Sequence, residues 1–143
     1  MSTENVFFIC NNLALVSWII LIFFTFWKNR DRFIFSIVIV LLAILYSWIM
    51  LSNFSAELLR DFSTLDGISR LFTNKTLLLG GWIHYLAFDL FTGIYIMRNA
   101  RENGLNHWII VPALLLTFLL GPFGLLVYLV IKSVKTKTLF PIK

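Results

Sequence analysis

The chain has 143 residues, 59% hydrophobic and 13% charged, with a formal net charge of +5 and a mean hydropathy of +0.88. A soluble domain carries about a quarter charged residues, so a soluble enzyme or binding module is excluded. The basic residues stand in short clusters beside apolar runs, the membrane-protein pattern, and no basic patch interleaved with aromatics lies on a polar face, which excludes nucleic acid as the expected partner.

The N-terminus, with Glu4 and no Lys or Arg before the first apolar run, lacks the positive n-region and cleavage site of a secretory signal peptide. The first run is therefore expected to stay in the mature chain. Four runs are long enough to cross a bilayer as helices, over residues 6–27, 33–51, 76–97 and 108–131. A span needs about 20 apolar residues, and helices satisfy their own backbone in lipid. The expectation is a single all-α membrane domain over residues 1–143, a four-helix bundle. Asn11 and Asn12, early in the first run, can reach headgroups or bond across helices. Cys10 is the only cysteine and offers neither an intrachain disulfide nor metal-site spacing.

The connections differ in character. Lys28-Asn29-Arg30-Asp31-Arg32 predicts a tight turn joining spans one and two as an antiparallel hairpin. In the second loop Leu58, Leu59, Phe62, Leu65, Ile68, Leu71 and Phe72 recur at helical spacing among charged residues. That pattern predicts one or two amphipathic helices over about 56–73, lying in the interface. They either cover the bundle end or form a lid over a membrane-facing pocket. Ser63-Thr64-Leu65-Asp66 fits a capping box and predicts a helix start at about Ser63. Four spans would put both termini on one side, with Arg60, Arg70, Lys75, Lys132, Lys135, Lys137 and Lys143. Lys28, Arg30, Arg32, Arg98 and Arg101 fall on the other. Seven against five leans toward cytoplasmic termini, although the dense KNRDR turn pulls the other way.

The third span is the chemically informative one. It carries His84 and Asp89 inside an apolar run, and an ionisable group at the bilayer centre costs roughly 2.5–3.5 kcal/mol on insertion scales. Such a group needs a partner, a wet cavity or a function. Trp82, Tyr85, Asp89 and Gly93 follow one another at three and four residues and share a face. Gly93 allows another helix to approach beneath Asp89. His84 points about 140° away from Asp89 and lies roughly 7.5 Å from it along the axis. The two either line one cavity from different walls or bond to different neighbours. Tyr85, Tyr46 and Arg98 are the candidate partners of Asp89. The plainer roles are an interhelical hydrogen bond for Asp89 and packing for Trp82 and Tyr85.

In the fourth span Pro122 lacks a donor and clashes with the carbonyl of Phe118, which predicts a kink. Gly121 and Gly124 flank it, as packing devices or as the shape of a cleft beside the third helix. Lys132 reads as a snorkelling anchor. The chain has no Walker loop, GxGxxG, HExxH or GxSxG motif. His84 and His107 stand too far apart in depth for a two-histidine haem clamp, which leaves a single-histidine ligand open.

The segment Gly81-Trp82-Ile83-His84-Tyr85-Leu86-Ala87-Phe88-Asp89-Leu90-Phe91, followed by Arg98, resembles the abscisic-acid-deficient-four-like family. So do residues 117–126, which read TFLLGPFGLL, and the stretch from Phe62 through Ile68 to Leu71-Phe72. The resemblance runs from about Phe62 to Lys132 and is carried by the W-x-H-x-x-x-x-D-L-F core. It implies a small integral membrane protein and, in the plant branch, isomerisation of violaxanthin to neoxanthin, an epoxide opening without net redox change. Such a reaction needs an acid for the epoxide oxygen and a base for a carbon-bound proton.

His84 and Asp89 match the motif's ionisable positions and are the implied catalytic pair, without a cofactor or metal. Trp82, Tyr85, Gly93, Arg98, Gly121, Pro122 and Gly124 are the expected binding residues. The implied partner is a membrane lipid or a carotenoid-like isoprenoid, with a homo-oligomer or another membrane protein as further candidates. The alternative function is a non-enzymatic membrane subunit whose polar residues lock helix packing. A weaker one is a small proton-conducting unit. The absence of a transit-peptide pattern favours a bacterial inner-membrane protein over a plastid precursor.

Overall fold

The computed structural model describes residues 2–137, and among these the regular structure is helical. Its helices are α1 (Thr3–Phe23), α2 (Arg30–Ser52), α3 (Ala56–Asp61), α4 (Leu65–Thr73), α5 (Lys75–Glu102), α6 (His107–Leu120) and α7 (Pro122–Thr136). A π-helical turn over Ile34–Ile39 widens α2 near its start. Three helices, α1, α2 and α5, are long and apolar enough to cross a membrane.

Capping residues set most of the boundaries. Ser2, Ser55, Thr64, Asn74 and Asn106 each accept, through a side-chain oxygen, from a backbone N–H of the first turn of α1, α3, α4, α5 and α6. Such caps satisfy donors that the helix itself leaves unmade. The amphipathic segment forms two short helices, as expected, with its start one residue later than the capping-box reading. Thr64 Oγ1 is the cap, accepting from Gly67 N at 3.0 Å, while Ser63 Oγ donates to Arg60 O. The α3–α4 corner is tight because Gly67 lies against the Asp61 carbonyl, where no Cβ would fit.

α5 is the central helix: half of its apolar window is buried, against 33% for α1 and 22% for α2. α1 presents Cys10, Ala14, Ser17, Trp18, Leu21 and Ile22 on one face, and α2 presents Ile34, Val38, Leu42 and Ile49. These spacings of three and four make the buried stripe of a helix. The opposite faces keep large apolar side chains outside the bundle, among them Phe8, Leu41, Ile44 and Trp48, which is favourable where the surroundings are lipid. Glycines on α5 set the closest approaches. The Trp18 ring of α1 sits where a Cβ on Gly93 would be, and Met50 of α2 sits against Gly80.

The expected fourth span is divided. At Gly121 the backbone takes φ 48° and ψ −103°, and Pro122 starts a new helix. This is a reversal of the chain rather than a kink. Tyr128, in α7, donates through Oη to Asn99 Oδ1 at 2.7 Å, whereas a helix continuing in the direction of α6 would carry Tyr128 away from Asn99. Gly124 also lies directly against Thr117, so close that a Cβ would collide with the Thr117 backbone. α6 and α7 therefore form a helical hairpin. Each arm, at 14 and 15 residues, is about 21–22 Å long, short of the roughly 30 Å hydrocarbon core.

The reversal corrects the expectation that both termini share one side. Glu4, at the start of α1, approaches Lys75, at the start of α5, to 3.5 Å. α7 ends instead beyond Asn99, at the opposite end of α5. Lys143, counted above with the termini, lies outside the described residues.

Candidate functional site

The tip of the α6–α7 hairpin meets α5 at Asp89. Thr117 O keeps its normal acceptor role, receiving Gly121 N at 2.9 Å. The next carbonyls lose their helical partners, because Pro122 has no N–H and the chain turns away. One of them is recovered from α5: Tyr85 Oη donates to Leu119 O at 3.1 Å. Pro122 itself stands at the first position of α7, where a missing N–H carries no penalty.

Asp89 is buried at 7% exposure. Its carboxyl lies against Gly121, with Oδ1 2.7 Å from where a Cβ would stand, so only glycine lets the hairpin tip reach it. Asp89 Oδ2 is buried and has no hydrogen-bond partner. The Tyr85 hydroxyl lies near the same carboxyl, as the spacing of four predicts. The hydroxyl proton of Tyr85 goes to Leu119 O, so Tyr85 can bond to Asp89 only as the acceptor of a proton from the neutral carboxyl. Buried carboxyls are normally hydrogen-bonded; an open lone oxygen in an apolar interior marks a packing compromise or a functional group.

Beside this cluster, between α1, α5 and α6, runs a groove of about 310 Å³ lined by Asn11, Leu15, Trp82, Tyr85, Phe118 and Leu119 among others. Its walls are apolar apart from a few placed polar groups. Trp82 Nε1 donates to Asn11 Oδ1 at 2.8 Å, and the Trp82 ring packs 5.2 Å from that of Tyr85. Asp89 lies behind Tyr85 and does not itself line the groove.

His84 is elsewhere. It is exposed on another face of α5, with its ring 5.4 Å from Tyr46 and 4.5 Å from Phe88. It lines a separate pocket of about 270 Å³ with Tyr46, Met50 and Gly81, roofed by Leu58, Phe62, Ile68, Leu71 and Phe72 of the amphipathic segment. The two ionisable residues of the apolar span are thus not brought together. Of the three partners expected for Asp89, only Tyr85 is one. Tyr46 belongs with His84, and Arg98 donates through Nε to Asp31 Oδ2 at 2.7 Å at the far end of α5. Gly93, under Trp18, and Gly124, under Thr117, act through packing. Among the described residues no group of three His, Cys, Asp or Glu side chains could hold a metal ion.

Asn11 bonds across to Trp82, one of the two roles expected for it, whereas Asn99, Thr117 and Tyr128 take structural parts that the apolar pattern hides. Thr117 Oγ1 donates to Ala113 O at 2.8 Å, which keeps the hydroxyl satisfied inside the hairpin. Only the polarity of Asn99 and Thr117 inside or beside apolar runs could have signalled them.

The family model described as ABA DEFICIENT 4-like matches residues 5–128, and the chain belongs to that family. The match takes in α1 and α2, beyond the segment from Phe62 that carries the motifs. No curated protein and no solved structure matches the chain.

Proposed function

We propose that this member of the ABA DEFICIENT 4-like family binds a carotenoid-like or other isoprenoid lipid in the groove between α1, α5 and α6, and isomerises it by proton transfer through Tyr85 and Asp89. The observation that carries this reading is the buried carboxyl of Asp89, open at Oδ2, next to Tyr85, which stands in the wall of an apolar groove. Ligand sites are mostly apolar clefts with a few converging polar groups, and this groove has that composition. One carboxyl is sufficient for an isomerisation. Protonated, it gives a proton to an oxygen of the ligand; as the carboxylate it takes a proton back from carbon, and it ends as it began. Tyr85 is the group that meets the ligand, with Asp89 behind it as proton reservoir. His84 has no part in that cycle, which revises its expected role as the catalytic partner of Asp89.

A second reading is favoured by the contact of Asp89 with Gly121: the carboxyl locks the hairpin tip onto α5, and the protein is a non-enzymatic membrane subunit. Purification in mild detergent, an absorption spectrum and mass spectrometry of extracted lipids separate the two. The binding reading expects a co-purifying isoprenoid or polyene that is lost in Leu15→Trp, which fills the groove from its lipid-facing wall. It also expects Tyr85→Phe and Asp89→Asn to retain the ligand and change only its turnover. A wild-type protein carrying only ordinary phospholipids, with Asp89→Asn strongly destabilised, sinks the binding reading and leaves the packing role.

We further assign the end carrying the α1–α2 turn and the end of α7 to the cytoplasm. Among the described residues that end holds Lys28, Arg30, Arg32, Arg98, Arg101, Lys132, Lys135 and Lys137, against Arg60, Arg70 and Lys75 at the other. Eight against three is a clear bias under the positive-inside rule.

A further inference from the structure

A second pocket, of about 420 Å³, opens at the basic end of the bundle, remote from Asp89. It is lined by Lys28, Arg30, Arg101 and His107, with Met97 and Ile110 among its apolar walls. Arg30 is the unusual member. It is 3% exposed, yet none of the ion pairs among the described residues involves it. Nη1 donates to Phe24 O at 2.7 Å and Nη2 to the sulfur of Met97 at 2.9 Å, a weak acceptor. Nε is buried with no partner. Asp31, the adjacent carboxylate, pairs with Arg98 and acts on Arg30 only through space, while Arg101 is close enough to repel it. A buried cation needs a counter-charge, and Arg30 has no ion pair of its own and faces Lys28 and Arg101 across the pocket.

We propose that this pocket binds a phosphate group, with the Arg30 guanidinium as its buried floor and Lys28 and Arg101 closing over it from the rim. Guanidinium matches phosphate geometry through several N–H donors, and basic pockets between spanning helices hold anionic headgroups. The apolar side of the pocket is formed by Met97, Leu105 and Ile110, which suits the glycerol end of a lipid headgroup. The phosphate could thus come from a phospholipid or from solution, and the test separates them.

The protein in neutral detergent would be followed by tryptophan fluorescence during heating, with phosphatidylglycerol, phosphatidylcholine or inorganic phosphate added. Saturating ligand should raise the unfolding temperature by about 2–8 °C. A rise with phosphatidylglycerol alone identifies a lipid headgroup; a rise with inorganic phosphate as well identifies a site for free phosphate. The Lys28→Gln/Arg101→Gln double variant, changed only at exposed positions, should unfold at its wild-type temperature without ligand and lose the shift. Lys135→Gln/Lys137→Gln should keep it. No rise with either anion, or an equal rise in the Lys28/Arg101 variant and wild type, overturns the site.

Discussion

Two residues hold the hairpin against α5, one at its tip and one along α7, and each fails for a different reason when changed. Gly121 sits at φ 48° and ψ −103°, outside the regions open to residues with a Cβ. Its missing Cβ is also the space taken by Asp89 Oδ1. Gly121→Ala combines backbone strain, about 1–3 kcal/mol, with a collision, and a lowered unfolding temperature in detergent is the expected result. Tyr128, fully buried, hydrogen-bonds Asn99 across from α7 to α5. Tyr128→Phe keeps the ring and orphans Asn99 Oδ1, with an expected loss of about 1–3 kcal/mol; a variant as stable as wild type would contradict the hydrogen bond as a tie holding α7 in place. The polarity of Asp89 and its sharing of a face with Tyr85 are legible in the sequence, because i and i+4 on a helix meet wherever the helix is placed. The open Oδ2 is not legible, because it depends on which glycine of another helix arrives opposite.

The helical elements show the same division at a larger size. Amphipathic spacing and capping residues mark α3 and α4 in the sequence itself, since both are local. Thr64→Ala removes the cap of α4 and should cost about 1 kcal/mol, seen as faster amide exchange in its first turn and no change in α5. The α6–α7 reversal is a different matter. The GPFG sequence permits a kink or a full turn, and two stacked half-length helices carry the same apolar run as one span. What selects the turn is close packing of its arms, at Gly124 on Thr117, and the capture of Tyr128 by Asn99. Gly124→Ala inserts a methyl into that contact, with an expected loss of about 1–3 kcal/mol from overpacking. Substituting the lipid-facing Leu126, exposed on the same helix, by alanine is the control and should shift the unfolding temperature little.

At the scale of the whole molecule, three helices long enough to cross and one hairpin put the start of α1 and the end of α7 at opposite ends of the bundle. An odd number of crossings is directly measurable. Reporter fusions should place the N-terminus outside and the C-terminus in the cytoplasm; reporters on the same side would contradict the hairpin. The same arrangement makes the ends chemically distinct. Most of the described basic side chains lie at the end that holds the pocket of Arg30, while the opposite end is roofed by α3 and α4 over His84. The groove beside Tyr85 and Asp89 lies between those ends, open to the surface that apolar side chains cover.

By itself the sequence determined that the chain lives in a membrane, is helical, carries an amphipathic segment and places one carboxyl deep in an apolar span. Each of these follows from local periodicity or from the transfer energy of individual side chains, which needs no knowledge of neighbours. Tertiary structure decided that the last apolar run turns back, that His84 and Asp89 stand apart, and that Arg30 is buried without an ion pair. Those outcomes depend on contacts between residues distant in the chain, where a missing Cβ or one hydrogen bond chooses between arrangements of equal hydrophobicity.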